Sequence, residues 1–416
     1  MKNWGRFGVA ALLIGLTAVL RWNDVKAAGG PSQGEGGPYR VLAPIESGNL
    51  LLFPVVRADE KSTGETPFIT LDEGLKSGDV EVTEAGRAQG LVRPRGSTNQ
   101  PTQDYVDRGD EVNTLVLINH SKRPLLLLAG EIVTGGKQDR IVAKDRIVPA
   151  EADPIDLGVF CIEPGRWTES SATFGAAGKS ASKSFMVQPG VRERAMVDQD
   201  QQQVWNSVNG AISQMEVAAA PPVSSGGSAP EGSYHRSLGT SSYAKAMQDS
   251  GVSEKVDEAA APVINAREQV LAQLREEHAV GVVVAVRGEI IWADLFANAD
   301  LLSRYWTKLV RSYAAESLTE GDDHPKPTIA DAQHFLDAPL GGTENSEGEV
   351  GIYRYRELKS SGTETFVLES LLPGTGYDVH LSKMKLRSAE SRNVKPYPTN
   401  QPPIHRPDVF NPEIVR

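Results

Sequence analysis

The stretch LLLLAGEIVTGGKQDRIVAKDRIVPAEADPIDLGVFCIEPGRW, residues 125–167, decides the fold class of this chain. It predicts three strand-forming segments, residues 124–134, 137–148 and 155–162, because continuously apolar or β-branched runs alternate with turn residues. Charged residues interrupt these runs. A charge in a buried strand costs free energy unless it is paired with an opposite charge or takes part in the function of the protein. The stretch therefore predicts a β-rich core that carries a candidate functional site.

Two glycines between apolar runs predict a tight hairpin. A two-residue type I′ turn needs positive φ at both central positions, which Gly135 and Gly136 supply. With that turn fixed, Glu131 faces Arg140 across the two strands and forms an ion pair with it. Gln138 lies on the same face as Arg140, two residues away.

The second charged motif ends the strand over residues 155–162. Pro164 and Gly165 turn the chain there and present Arg166 and Trp167 at the strand end, close to Glu163. A guanidinium binds carboxylate or phosphate with two hydrogen bonds, and an indole offers a flat face to a ring or a cation. Together with Arg140, these two side chains suit an anionic ligand with a flat ring, such as a nucleotide.

The sequence leaves three interpretations of these motifs open. In the first, they line a pocket for a small anionic ligand. In the second, an acidic side chain acts as general acid or base in hydrolysis of such a ligand. In the third, Glu131–Arg140 and Glu163–Arg166 are structural ion pairs and Trp167 is part of the core. The candidate ligand-binding residues are Glu131, Gln138, Asp139, Arg140, Glu163, Arg166 and Trp167.

The rest of the chain predicts an α+β fold with mainly antiparallel sheets. Further strand patterns cover residues 49–56, 80–83, 112–119 and 280–286, and Thr70 begins a capping-box motif for a short helix. The helices are grouped rather than alternating with strands, which favours α+β over α/β. Asp294 ends an apolar strand, where it is expected to cap the following turn.

Two longer helices are predicted from their apolar periodicity. In residues 191–215 one face carries Val197, Val204, Val208, Ile212 and Met215. The helix that follows the Asp294 strand places its aromatic and leucine side chains inward. Its basic side chains, Arg304, Lys308 and Arg311, are expected to point outward.

Composition divides the chain into a signal, a domain and a tail. Residues 1–27 have the basic start, apolar core and small-residue cleavage site of an export signal, and the sequence leaves open whether it is cleaved or kept as an anchor. Residues 28–38 are Gly-rich and predicted to be disordered. Residues 39–387 are predicted to form a single α+β domain with a low-complexity insert at about 218–262. Residues 388–416 read as a Pro-rich disordered tail.

Charge and cysteine content restrict the function classes. The net charge of −11 disfavours nonspecific nucleic-acid binding. Cys161 is the single cysteine, so an exported, periplasmic or secreted chain has no internal disulfide and depends on its core. The seven histidines are scattered without a metal-ligand spacing. We therefore expect no metal, no cofactor, no nucleic-acid partner and no membrane contact beyond the signal segment, while the oligomeric state stays open.

The amino-acid sequence of the two motifs resembles that of a known family. LLLLAGEIVTGGKQDR followed by CIEPGRW is similar to the domain family associated with ADP-ribosylglycohydrolases and rhodanese-phosphatases, and the similarity extends over about residues 40–385. The family's name implies a role close to ADP-ribose or NAD processing. By that association the anionic ligand expected at Arg140 and Arg166 is nucleotide-like or ADP-ribose-like.

Overall fold

The structure is a computed structural model that describes residues 38–57, 65–87, 91–92, 103–104, 113–178, 180–220, 237–265, 279–340, 342–375 and 378–386. The predicted export signal, the predicted tail and all but the last residue of the predicted disordered segment lie outside these residues. Within them the chain is a mixture of helices and mainly antiparallel sheets, which confirms the predicted α+β class.

The largest sheet of the fold is antiparallel and has nine strands. Eight of them follow the order β1-β3-β15-β16-β20-β19-β18-β17, and the ninth, β2, pairs with β3. Its strands are β1 (Tyr39–Val41), β2 (Ile45–Ser47), β3 (Leu50–Arg57), β15 (Ala279–Val286), β16 (Glu289–Phe296), β17 (Thr343–Glu349), β18 (Tyr353–Ser360), β19 (Thr363–Ser370) and β20 (Asp378–Lys385). The strand β17 is the acidic, largely exposed edge.

A six-stranded sheet, β14-β10-β11-β13-β8-β5, carries both charged motifs. Its strands are β5 (Val80–Glu84), β8 (Thr114–Asn119), β10 (Ile132–Gly135), β11 (Arg140–Val142), β13 (Ala152–Cys161) and β14 (Phe174–Ala176). A three-stranded sheet contains β4 (Ile69–Thr70), β9 (Leu125–Leu127) and β12 (Arg146–Val148), with β4 parallel to β9. A two-stranded ribbon joins β6 (Leu91–Val92) to β7 (Gln103–Asp104).

The described residues contain seven α-helices. They are α1 (Leu71–Ser77), α2 (Pro189–Glu193), α3 (Gln201–Ala218), α4 (Tyr243–Gln248), α5 (Ser250–Asn265), α6 (Ala299–Ser317) and α7 (Ile329–Asp337). The predicted capping box is confirmed at α1, where Thr70 Oγ1 accepts a hydrogen bond from the Glu73 backbone N–H and Glu73 accepts one from that of Thr70.

Apolar side chains on the two faces of the nine-stranded sheet enter different cores. Leu52 of β3 and Val284 of β15 belong to the main core, which also contains buried side chains of α3, α5 and α6. Phe53 and Val283 point to the opposite face, where Leu336 of α7 covers them. The alternation of side chains along a strand explains why neighbouring residues serve different cores.

The predicted helix over residues 191–215 is divided. A π-helical turn, Arg194–Asp198, and a left-handed Gln199 separate α2 from α3. The predicted apolar face is confirmed within α3, where Val204, Val208, Ile212 and Met215 are buried.

The predicted outward direction of the basic side chains of α6 is wrong for Lys308 and Arg311. Both are buried, and each reaches a carboxylate, Lys308 at Glu131 and Arg311 at Asp257. Their long apolar stems pack in the interior while the charged heads find ion-pair partners.

Part of the predicted low-complexity insert is helical. Residues 243–248 of that range lie in α4 and residues 250–262 in α5, and Tyr243, Met247, Val252 and Val256 are buried in the main core. Residues 221–236 lie outside the described part of the chain.

Candidate functional site

The turn between β10 and β11 brings the first motif into place with a register that differs from the predicted one. Val133, rather than Glu131, lies opposite Arg140. Gly135 has a φ of 129°, far from a type I′ turn, and its N–H donates to Asp139 Oδ1 at 3.1 Å. The carboxylate of Asp139 therefore satisfies a backbone N–H of this loop.

The predicted Glu131–Arg140 ion pair is wrong for the same reason. Glu131 is buried; its Oε1 accepts from Lys308 Nζ at 2.7 Å and its Oε2 from the Leu128 N–H at 2.7 Å. Burial raises the pKa of Glu131, and the charge of Lys308 opposes this rise. Glu131 thus ties the segment before β10 to α6 and not to Arg140.

Pairing of β11 with β13 brings the two motifs together, because Arg140 lies opposite Cys161. We call the resulting group the motif cluster. Its members are Gln138, Asp139, Arg140, Glu163, Arg166 and Trp167.

Glu163 is the anionic centre of the motif cluster. Its Oε2 lies 2.5 Å from an Arg166 Nη2, and its Oε1 accepts from Lys245 Nζ at 2.7 Å. Burial favours the neutral carboxyl, but the hydrogen bonds from Arg166 and Lys245 outweigh it and lower the pKa of Glu163. The predicted Glu163–Arg166 ion pair is confirmed.

The pKa of Asp139 shifts in the opposite direction to that of Glu163. Burial, and then the charge of Glu163, raise the pKa of Asp139. Its Oδ2 accepts a hydrogen bond from Ser242 Oγ at 2.8 Å, and its Oδ1 lies 3.5 Å from Arg166 Nη2. Nη2 of Arg166 therefore contacts two carboxylates, and the pKa of Asp139 is raised while that of Glu163 is lowered.

Arg166 also holds the glycine turn. Its Nη1 donates to the carbonyls of Gly136 at 2.9 Å and Thr168 at 2.8 Å. Its Nε is buried and has no hydrogen-bond partner among the described residues, and the same is true of Gln138 Oε1. Gln138 Nε2 donates to the Glu163 carbonyl at 3.1 Å.

Trp167 is the exposed face of the motif cluster. Its side chain is 42% exposed, so the expectation that it belongs to the core is wrong. Lys137 Nζ lies 5.2 Å and the Arg140 guanidinium carbon 5.8 Å from the ring centroid, within cation–π distance. Arg140 itself is fully buried, so the motif cluster meets solvent through Trp167 and Arg166.

Cys161 is buried at the end of β13 and has no disulfide partner. Burial raises the pKa of its thiol, and the charge of Arg140 opposes this rise. A buried thiol with a raised pKa is a poor nucleophile.

A second buried polar network was missed by the sequence analysis. Asp294 lies inside β16 and does not cap a turn; Arg192 Nη1 donates to both of its oxygens, at 3.1 and 2.9 Å. Ser382 Oγ donates to Asp294 Oδ1 at 2.7 Å, and Tyr313 donates to Oδ2. Arg192 also packs on the ring of Trp292, 4.8 Å from its centroid.

His380 extends this network to Asp145. Its Nδ1 lies 2.6 Å from Asp145 Oδ2 and its Nε2 lies 3.2 Å from Asp294 Oδ1. Burial lowers the pKa of His380, but Asp145 and Asp294 outweigh it and raise the pKa overall. In the sequence this network is marked by charged or titratable residues within apolar strands, Asp294 in WADLF and His380 in DVHLS. The same feature identified the motif cluster.

Two further findings concern metals and membranes. Among the residues that the structure describes, no group of three or more His, Cys, Asp or Glu side chains is placed to hold a metal ion. Within the same ranges, no helix combines the length and the apolar character that a membrane span requires.

Fold and site together define a mixed α+β domain with mainly antiparallel sheets, in which two networks of charged side chains are buried at strand ends and between sheets. The chain belongs to the ARPP-1 family, the ARG and Rhodanese-Phosphatase-superfamily-associated Protein domain, whose model matches residues 38–384. No curated protein and no solved structure matches the chain.

Proposed function

We propose that this chain is an exported, noncatalytic binding domain for a small anionic ligand of the nucleotide or ADP-ribose class. The observation that carries the proposal is the exposed ring of Trp167 with Lys137 and Arg140 beside it. A flat ring stacks on an indole, and neighbouring cations favour an attached phosphate. The export part rests on the signal pattern in residues 1–27.

Arg166 supplies the second support for an anionic ligand. Its side chain is 18% exposed at the edge of the motif cluster, and its Nη2 is paired with Glu163. Hydrogen bonds between a guanidinium and an anion are among the stronger ones in proteins. A phosphate beside Trp167 would therefore meet a guanidinium already held in place by Glu163.

Calorimetric titration with ADP-ribose, AMP and uncharged ribose tests this proposal. Trp167→Ala should keep the fold, because the ring is exposed, and should weaken ADP-ribose binding by about 1–3 kcal/mol, the value of one stacked base. Arg166→Ala should weaken ADP-ribose and AMP but not ribose. Arg304→Ala is the matched control, because Arg304 is also ion-paired and partly exposed but lies on α6. If wild-type protein binds neither ADP-ribose nor AMP, the proposal fails.

A hydrolase is the second candidate, and the divergent pKa values of Asp139 and Glu163 favour it. A carboxyl with a raised pKa can act as general acid beside a carboxylate that stays ionised. Asp139→Asn should then abolish turnover of ADP-ribose while binding persists. Wild-type protein that binds ADP-ribose but never converts it would remove this candidate.

A purely structural role is the third candidate, and the internal contacts of Arg166 favour it. Arg166 donates to carbonyls of its own loops and pairs with Glu163, as a clamp between the two motifs would. In that case Arg140→Ala and Arg166→Ala lower the melting temperature, and no anionic ligand raises it in the wild type.

A further inference from the structure

The two outer edges of the nine-stranded sheet differ in how they are covered. At one edge, α7 covers the short strand β1: Gln333 Oε1 accepts from the Val41 N–H at 2.8 Å, and Gln333 Nε2 donates to the Tyr39 carbonyl at 3.2 Å. At the other edge, β17 pairs with β18 alone. No main-chain group of residues 343–348 has a hydrogen bond to another described part of the chain. This edge is therefore open within the described structure.

The strand β17 is regular along its whole length. Seven successive residue pairs join it to β18 without a shift in register, and it contains no proline. Alternate residues of an edge strand direct their N–H and C=O groups away from the sheet. Proteins protect such edges with proline, a bulge, a short strand or charge, and of these β17 has charge alone. Its outward main-chain groups can therefore pair with a further strand.

The charge of β17 restricts which strand can pair with it. It carries Glu344, Glu347 and Glu349 and no Lys or Arg. Glu349 is buried against Arg146, whereas the side chains of Glu344 and Glu347 are 45% and 53% exposed. A second copy of β17 would bring a further acidic strand beside these two side chains, which disfavours pairing. A basic strand would bring opposite charges.

Both exposed glutamates can accept a further cation. Glu344 pairs with Arg356 and Glu347 with Lys144, at 2.7 Å in each case. Ion pairs with this exposure contribute little to stability, and a carboxylate has about four acceptor positions, so a new donor can bind beside the first or replace it. Residues 344 and 347 are three apart and lie on opposite faces of the strand. A complementary strand therefore has basic side chains three residues apart, one on each face.

We propose that β17 binds an extended basic segment of a partner protein. The segment adds a strand to the open edge and places two lysine or arginine side chains beside Glu344 and Glu347. Main-chain hydrogen bonds supply the attachment, and the charges select the partner. The strand β17 belongs to a different sheet from the motif cluster, so this surface does not depend on the proposed function.

Fluorescence anisotropy with short labelled peptides tests the proposal on the full chain. The probe is a capped peptide of threonine and valine, which favour strands, with two lysines three positions apart. At low salt it should bind at least about fivefold more tightly than the same peptide with glutamate at both lysine positions, because charge pairs form in one case and repulsions in the other. The lysine peptide with N-methylated backbone amides should not bind, because its main-chain donors are blocked.

Hydrogen exchange measured by mass spectrometry locates the bound peptide. The lysine peptide should slow amide exchange in fragments that cover residues 343–349, because outward N–H groups of β17 become hydrogen-bonded. Fragments that cover β1 should not change, because Gln333 already covers that edge.

Substitutions in β17 test the role of charge. Glu344→Gln and Glu347→Gln should keep the fold, because both side chains are exposed, and each should weaken the lysine peptide about twofold to fivefold at low salt. Glu46→Gln is the matched control, because Glu46 is an exposed residue of β2 that also pairs with a lysine, Lys326. It should leave binding unchanged.

Four results would each overturn the proposal: no binding of the lysine peptide, equal binding of the glutamate or N-methylated peptide, slowed exchange outside β17 only, or equal effects of Glu46→Gln and Glu347→Gln. A concentration-dependent dimer of the chain with slowed exchange in residues 343–349 would also overturn it, in favour of a second copy at this edge.

Discussion

The buried network around Asp294 should make that carboxylate one of the most costly side chains to change. Asp294 is fully buried and receives hydrogen bonds from Arg192, Ser382 and Tyr313. Asp294→Asn keeps the shape but removes the charge and turns an N–H₂ group towards donors. Breaking a buried pair on one side leaves an uncompensated charge, here Arg192, and costs about 3–5 kcal/mol.

Urea denaturation at pH 7 measures this loss in the free energy of unfolding by linear extrapolation. The pKa of Asp294 is lowered from 3.8, so its contribution is present above that value and is lost as pH falls through the folded-state pKa. At pH 7 the full effect should therefore appear. Glu258→Gln is the control, because Glu258 is exposed in a surface pair with Lys255 and should change nothing measurable.

A double-mutant cycle separates the interaction energy of the Asp294–Arg192 pair from the effect of each single substitution on stability. Arg192→Met retains an apolar stem on Trp292, and combined with Asp294→Asn it removes both charges. The double variant should lose at least about 1.5 kcal/mol less than the sum of the two single losses, as coupled neighbours do. Strict additivity, or a loss below about 1 kcal/mol for Asp294→Asn, would refute the reasoning.

Three further predictions concern a glycine, an acid and a thiol. Gly136→Ala should destabilise the fold by about 1–3 kcal/mol more than Gly48→Ala in urea, because both have positive φ but a Cβ at Gly136 would overlap the Phe174 ring. Burial raises the pKa of Glu364 to about 7, so stability should fall as pH rises from 4.5 to 7; Glu364→Gln should flatten this slope in denaturation at pH 5 and pH 8. Cys161 should resist alkylation by iodoacetamide in native protein and react once urea unfolds the chain, and rapid native labelling would contradict its burial.

Local patterns in the sequence were sufficient for the elements that depend on nearby residues. Thr70 and Glu73 are three residues apart and form the predicted capping box, and Glu163 and Arg166 form the predicted ion pair over the same spacing. Apolar runs likewise predicted the α+β class, but the strands predicted over residues 124–134 and 137–148 are wrong in extent, since each is divided, into β9 and β10 and into β11 and β12. For the capping box and the ion pair, the interacting groups are only three residues apart, which the sequence shows directly.

Contacts between distant parts of the chain account for what the sequence could not predict. The register of β10 and β11 depends on Asp139 and on Glu84, whose Oε1 accepts from the Lys137 N–H at 2.6 Å across 53 residues. Lys308 was expected to face solvent because nothing local indicates that Glu131 lies opposite α6. The direction of a charged side chain on a helix depends on which distant strand packs against it.

The strand β20 holds the buried network together across very long stretches of chain. Its His380 reaches Asp145 across 235 residues, and its Ser382 reaches Arg192 across 190. Contacts of such separation form late, because the entropy of closing long loops is lost before they are made. A nascent chain that still lacks β20 therefore has Asp145, Asp294 and Arg192 without the His380 and Ser382 side chains that contact them in the folded protein.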